Sequence, residues 1–259
     1  MGAPAPPRRS VPFYRVVRLL LAVAVLVVVV RLIVGGGESE RAVMSPSPSV
    51  GSQRSPPPLP PCTKGDALAK PEGYDEWQRT LVDTYFALRL SYAPSDLVSV
   101  GEAGFEAPYE VRGLLVPDLG ALRDAAAAAN SPLDISAAYR SYAQQASLYH
   151  RRVKSEGREE AVGKTARPGH SEHQLGTTVD FKTLGAADVD RSWERTPAGA
   201  WMAANAWMYG FVQSYPRRST DRTCYWYEPW HYRYFGRDVA TQIHDSGLAV
   251  REFLWRERG

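Results

Sequence analysis

The 259-residue sequence predicts an α+β fold, and three observations carry that expectation. Helix-like segments come first past residue 62, short strand-like runs cluster around the most polar motifs, and no internal repeat is present. In order, Tyr74–Leu90 carries Trp77, Leu81, Tyr85, Phe86 and Leu88 at helical spacing and is expected to be a helix. Pro117–Ala129 is another, with proline in its first turn, Asp118 beside it, an alanine run, and Asn130 as a stop. Leu133–Tyr139 is short, bounded by turn residues, and reads as a strand. Ser141 is placed to cap a helix from Tyr142 to about Lys154 that stops near Gly157. Thr177–Phe181 reads as strand, Pro197–Met208 as helix, and Tyr225–Tyr234 as an aromatic strand broken by Pro229. Helices over Arg237–His244 and Leu248–Arg256 finish the chain.

An apolar content of 44% lets the chain bury its own core without a metal or disulfide. The formal charge of +3 is too slight to point to nucleic acid, so no nucleic-acid partner is expected. Arg8, Arg9, Arg15 and Arg18 precede Leu19–Val30, which is apolar without a break, and Leu32–Val34 extend the run past Arg31. A basic flank followed by an apolar run is the order of an export signal or a first membrane span. No convincing small-x-small cleavage site precedes the Gly35-Gly36-Gly37 stretch, so residues 19–34 are expected to stay as a single-pass anchor, with the basic residues 1–18 inside. Residues 35–61 are rich in Gly, Ser and Pro and read as a spacer, stiff at its polyproline end. The expectation is a domain over residues 62–259 held outside the cell membrane. Cys62 and Cys224 are the only cysteines, and outside a membrane they can pair. Such a bridge closes a loop on the order of 160 residues, worth roughly 4–5 kcal/mol on the chain-entropy model.

Five histidines are present, and two lie in unusual surroundings: Ser171-Glu172-His173-Gln174-Leu175-Gly176-Thr177-Thr178-Val179-Asp180 and Glu228-Pro229-Trp230-His231. A catalytic zinc takes three His, Asp or Glu ligands and keeps one position open for water. His173, Asp180 and His231 supply that set. The water also needs a carboxylate that is not a ligand, and Glu228, three residues before His231, is the candidate. On an ideal strand Glu228 and His231 face opposite sides, so the backbone must bend between them, and Pro229 is the place for it. Taken singly, each residue has a plainer reading: His231 as a core histidine, Asp180 as a turn cap, His150 on an exposed helix face, His244 at a helix end. His170 and Glu172 read as solvated loop residues. Only jointly do the residues point to a metal.

The spacing Ser171-x-His173-x-x-Gly176-x-x-x-Asp180, joined to Glu228-Pro229-Trp230-His231, resembles the VanY-type D-alanyl-D-alanine carboxypeptidases. Ser136-Ala137-Ala138-Tyr139-Arg140-Ser141-Tyr142 with Gln145 resembles that family's Ser-x-Tyr-Arg-Ser segment. These enzymes belong to a group of zinc peptidases that includes phage L-alanyl-D-glutamate endopeptidases and the Hedgehog signalling domain. The resemblance implies a small antiparallel sheet carrying one zinc ion per chain, flanked by helices. It implies that His173, Asp180 and His231 hold the zinc and that Glu228 is the general base. Arg140 is then expected over the substrate carbonyl or carboxylate, with Ser171, Gln145, Tyr139 and Trp230 contacting substrate. The implied substrate is the D-alanyl-D-alanine end of a peptidoglycan stem peptide. An L,D-carboxypeptidase, an endopeptidase, or a zinc-containing wall-binding module without catalysis are the alternatives. Two positions depart from the family pattern: Ser214 stands where an arginine is common, and Thr178 where alanine is.

Overall fold

The computed structural model describes residues 58–70 and 74–257. The expectations for residues 1–18, the membrane span at 19–34 and nearly all of the spacer at 35–61 fall outside the described residues. Among the described residues no helix is long and apolar enough to cross a membrane.

The strands are β1 (Ala67–Leu68), β2 (Phe86–Ala87), β3 (Leu97–Ser99), β4 (Glu110–Arg112), β5 (Leu133–Ala137), β6 (Thr178–Thr183), β7 (Phe211–Gln213) and β8 (His231–Tyr234). The helices are α1 (Val116–Ala128), α2 (Tyr142–Glu156), α3 (Arg158–Lys164), α4 (Pro197–Asn205), α5 (Thr220–Thr223), α6 (Arg237–Ser246) and α7 (Val250–Arg256). Strands β5, β6, β8 and β7 form an antiparallel sheet in that order. Strand alternation divides its faces. Val179 and Phe181 of β6, with Tyr232 and Tyr234 of β8, enter a core that includes Leu119 and Leu122 of α1 and Met202 of α4. The intervening residues, Thr178, Asp180, His231 and Arg233, belong to the other face, so one side of the sheet is apolar and the other carries the chemistry.

Helix boundaries follow local chemistry. Ser141 Oγ accepts from the Gln144 amide at 3.3 Å, and the Gln144 side chain accepts from the Ser141 amide at 2.8 Å, a reciprocal cap. After α1 the chain turns at Asn130 with φ 55°, a left-handed conformation that asparagine tolerates well.

Two expected elements are shorter than their patterns suggest. The segment Tyr74–Leu90 is a 3-10 turn over Tyr74–Arg79 and then extends into β2. The carboxylate of Asp83 explains the break: it accepts the amides of Tyr85 and Phe86, both at 2.8 Å, which competes with helical bonding. Arg251 of α7 holds the same carboxylate at 2.6 Å, a buried pair tying the start of the domain to its end. The aromatic run Tyr225–Tyr234 is strand only from His231 onward. Helix α3, strand β7 and the β3–β4 pair are too short to stand out by periodicity.

Cys62 and Cys224 form a disulfide with Cα atoms 5.1 Å apart. Nearby, Arg251 Nη2 donates to the Pro60 carbonyl and Trp255 Nε1 to the Pro58 carbonyl, both at 3.1 Å. The first described residues are thus laced to α7.

Candidate metal centre

The pairing of β6 with β8 sets Asp180 directly opposite His231, so both side chains leave one face of the sheet. His173 arrives from a different element, the 3-10 turn Glu172–Leu175. Gly176 ends that turn with φ 73°, a left-handed conformation that favours glycine, and a Cβ there would crowd the Arg112 side chain at 3.0 Å. The Gly176 carbonyl accepts the Arg112 amide at 2.9 Å and fixes the turn against β4. One donor atom from each of His173, Asp180 and His231 then lies within 4.8 Å of the others. His173 Nε2 is 3.3 Å from Asp180 Oδ2, and His231 Nδ1 is 3.1 Å from Asp180 Oδ1.

Hydrogen bonds on the far side of each imidazole choose the tautomer. His173 Nδ1 donates to the Ala138 carbonyl at 2.7 Å, which leaves the Nε2 lone pair facing Asp180. His231 Nε2 lies 3.0 Å from Glu172 Oε2. Burial opposes ionisation of Glu172, but His231 and Arg233 outweigh it and bring this carboxyl down to about 2. An ionised carboxylate only accepts, so Nε2 carries the proton and Nδ1 faces inward. That arrangement points two acceptors, His231 Nδ1 and Asp180 Oδ1, at each other. Oδ1 is buried and has no hydrogen-bond partner among the described residues. A positive charge must sit there, either a proton or a cation. Accordingly, although burial opposes it, the Asp180 and Glu172 carboxylates push His231 up to about 10. Burial acts the same way on Asp180, yet His173 and His231 hold its carboxyl far below the ordinary range. Burial and Arg140 lower His173, keeping it neutral as a ligand must be. Two inward-facing imidazole nitrogens and one carboxylate are the donor set zinc accepts.

Glu228 provides the fourth group. His231 donates its amide to the Glu228 carbonyl at 3.3 Å, closing a turn through Pro229 and Trp230. This is the bend the sequence required, and it brings Glu228 Oε2 to 3.5 Å from His231 Nδ1. Burial pushes the Glu228 carboxyl up to about 7, with Asp180 adding to the rise and His231 and Arg140 opposing it. Arg140 donates from Nε to Gln145 Oε1 at 2.5 Å, and Gln145, fully buried, donates to the Ala166 carbonyl at 2.6 Å. No other side-chain hydrogen bond holds Arg140 among the described residues, so the outer guanidinium nitrogens stay available.

All of these groups open onto a cavity of about 180 Å³. Ser171, Gln145 and Trp230 line it with Arg140, Glu228 and the three donors, while Tyr139 lines a neighbouring cavity. Gln145 is a support for Arg140 and for the backbone at Ala166. Glu172 is not a solvated loop residue: it is 3% exposed and joins His231 to Arg233. His170 is buried too, but it faces the Asp83 carbonyl at 2.7 Å and Asp66 at 3.1 Å, away from the donor set. Arg233, two residues beyond His231, shares its strand face and is fully buried, so it needs an anion, and Glu172 supplies it at 3.0 Å. Tyr215 lines the cavity and packs its ring, tilted by 35°, against His231 with centroids 4.6 Å apart, a contact no sequence pattern indicated. Ser214 and Thr178, the two departures, are both buried.

Comparison with known proteins places the fold among known relatives. Residues 110–237 match the family model described as VanY, D-alanyl-D-alanine carboxypeptidase. YodJ of Bacillus subtilis is 35% identical over 179 residues, spanning 67% of this chain and 66% of its own length. A D-alanyl-D-alanine carboxypeptidase of Enterococcus faecalis is 32% identical over 203 residues, 74% of this chain and 71% of the relative. Among solved structures, the LdcB LD-carboxypeptidase superposes with a TM-score of 0.63 at 33% identity, covering 68% of this chain and 85% of that one. A VanY D,D-pentapeptidase variant solved in complex with Zn(II) gives 0.59 at 29% identity, covering 69% and 99%. With the three motifs, the sheet and the donor cluster in agreement, the chain belongs to the VanY D-alanyl-D-alanine carboxypeptidase family.

Proposed function

We propose that this protein is a zinc-dependent carboxypeptidase that removes the terminal D-alanine from the D-alanyl-D-alanine end of peptidoglycan stem peptides. The observation that carries the reading is the inward convergence of His173 Nε2, Asp180 and His231 Nδ1 beside Glu228. The VanY relative solved with Zn(II), and a second VanY structure in complex with D-alanine-D-alanine, support the metal and the substrate class. His173, Asp180 and His231 hold one zinc ion per chain, which when bound polarises the attacking water and the scissile carbonyl. Glu228 takes the proton of that water and passes it to the leaving amine, a role suited to a carboxyl raised toward neutrality. Arg140, anchored at Nε by Gln145, turns its free nitrogens to the carbonyl oxygen as that oxygen becomes anionic. Ser171 and Trp230 shape the same cavity around the terminal residue.

A second reading, L,D-cleavage of a tetrapeptide stem, is favoured by the superposition on LdcB. Digesting pentapeptide and tetrapeptide stems side by side and weighing the products separates the two. Loss of one alanine from the pentapeptide alone supports D,D-cleavage, and trimming of the tetrapeptide alone overturns it.

We also propose that residues 19–34 hold the domain at the outer face of the cell membrane. The basic-then-apolar order supports this, as does a disulfide between Cys62 and Cys224, since such bonds persist in oxidising compartments. Recovery of the full chain in the soluble fraction of gently lysed cells would count against it.

A further inference from the structure

The loop between α3 and the turn that carries His173 is irregular backbone, yet Thr165, Ala166 and Ser171 in it line the metal cavity. The Ala166 carbonyl also accepts from Gln145, the side chain that holds Arg140. Backbone of this kind has no strand ladder to fix it, so its position depends on the partners its groups find elsewhere.

Arg167, Pro168, Gly169 and His170 form a tight turn, closed by the His170 amide on the Arg167 carbonyl at 2.9 Å. Proline in second place and a glycine with φ 84° in third match a type II turn, which brings its first and last residues close together. Both can therefore reach one carboxylate. Asp66 Oδ1 accepts from Arg167 Nη1 at 2.8 Å and lies 3.1 Å from His170 Nε2. His170 and Arg167 hold the Asp66 carboxyl below its ordinary range. Arg167 Nη2 donates to the Gly65 carbonyl at 2.5 Å and to the Thr84 carbonyl at 3.0 Å. His170 Nδ1 donates to the Asp83 carbonyl at 2.7 Å, and the Gly169 carbonyl accepts the Leu88 amide at 2.8 Å. These partners all come from residues 65–88, ahead of the stretch 110–237 that matches the family. That segment is itself pinned, by the Cys62–Cys224 disulfide and by the buried Asp83–Arg251 pair.

We infer that Arg167 and His170 are positioning residues for the reaction, and that the segment holding them is a clasp. Through Arg167 it fixes Ala166, and through Ala166 and Gln145 it fixes where Arg140 points. Neither Arg167 nor His170 lines the metal cavity, so neither touches the reacting atoms. The inference rests on the function proposed above and adds to it a support drawn from outside the matched stretch.

The test uses the zinc-loaded full chain and whichever stem peptide it trims. Arg167→Met is expected to lower kcat about tenfold, with KM and zinc content little changed, because Arg140 keeps its charge and loses its aim. The discriminating background is Gln145→Ala, in which the link to Arg140 is already cut. There Arg167→Met should lower kcat by less than about twofold, while its effect on thermal stability is the same in both backgrounds. Asp66, whose side chain is 78% exposed, can be changed with little risk to folding. Asp66→Asn should follow the same pattern with a smaller loss, about threefold, as suits a contact open to water. If Arg167→Met does not fold, Asp66→Asn decides. Equal losses of kcat in both backgrounds, or a loss in neither, overturn the clasp and leave the carboxypeptidase reading standing. A wild-type chain that trims no stem peptide overturns both, so the two failures are distinguishable.

Discussion

The two faces of the β5–β6–β8–β7 sheet obey different rules. On one, Val179, Phe181, Tyr232 and Tyr234 pack against α1 and α4, and what matters is apolar volume. On the other, Asp180, His231 and Arg233 belong to a chain of contacts in which each group sets the state of the next. Arg233 holds Glu172, Glu172 fixes the proton on His231, and His231 turns its free nitrogen to Asp180. The apolar face is tolerant because dispersion and burial are non-directional. The polar face is intolerant because a buried charge without its partner is costly.

The largest effect that would sharpen this contrast is expected at Glu228. Glu228→Ala should lower kcat by on the order of 10³-fold or more while zinc content, read by atomic absorption, stays near one per chain. Near-normal turnover in that variant removes Glu228 from its role. On the apolar face, Phe181→Ala should cost about 3–5 kcal/mol in denaturant unfolding, whereas Phe181→Leu should cost far less and keep zinc. If both lose the metal equally, the faces are not separable. Glu172→Gln is expected to weaken zinc retention about 10- to 100-fold in competition with a chelator, with a smaller loss of stability. Unchanged retention would mean that Glu172 serves packing alone. The smallest effect is on pH. Glu228 must be ionised to accept a proton, so activity should rise with pH through an acid limb. That limb should lie at or below about 7, because a bound dication adds to the lowering by His231 and Arg140. A limb that persists unchanged in Glu228→Asp would belong to another group.

How much of this was legible depends on how local the cause is. The capping box at Ser141, the turn at Asn130 and the α1 alanine run are written within a few residues of where they act. The spacing from His173 to Asp180, and from Glu228 to His231, is local as well. The helix expected over Tyr74–Leu90 misled because its apolar spacing is real, but Asp83 gives the backbone other partners, and the reason it is held there, Arg251, lies 168 residues away. Glu172 and His170 looked solvated for the same reason: nothing near them in sequence shows that Arg233 and Asp83 will cover them.

By itself, then, the sequence determined which chemical groups are present, where locally marked helices such as α1 and α2 begin and end, and that two imidazoles and one aspartate were on hand for a metal. Tertiary structure alone decided that Asp180 stands opposite His231, since a shift of one residue in that pairing would send either side chain to the apolar face. It also decided which nitrogen of each histidine faces inward, and that Asp66 meets both Arg167 and His170. These outcomes depend on hydrogen bonds and burial between segments tens of residues apart, and no local pattern encodes the distance between them.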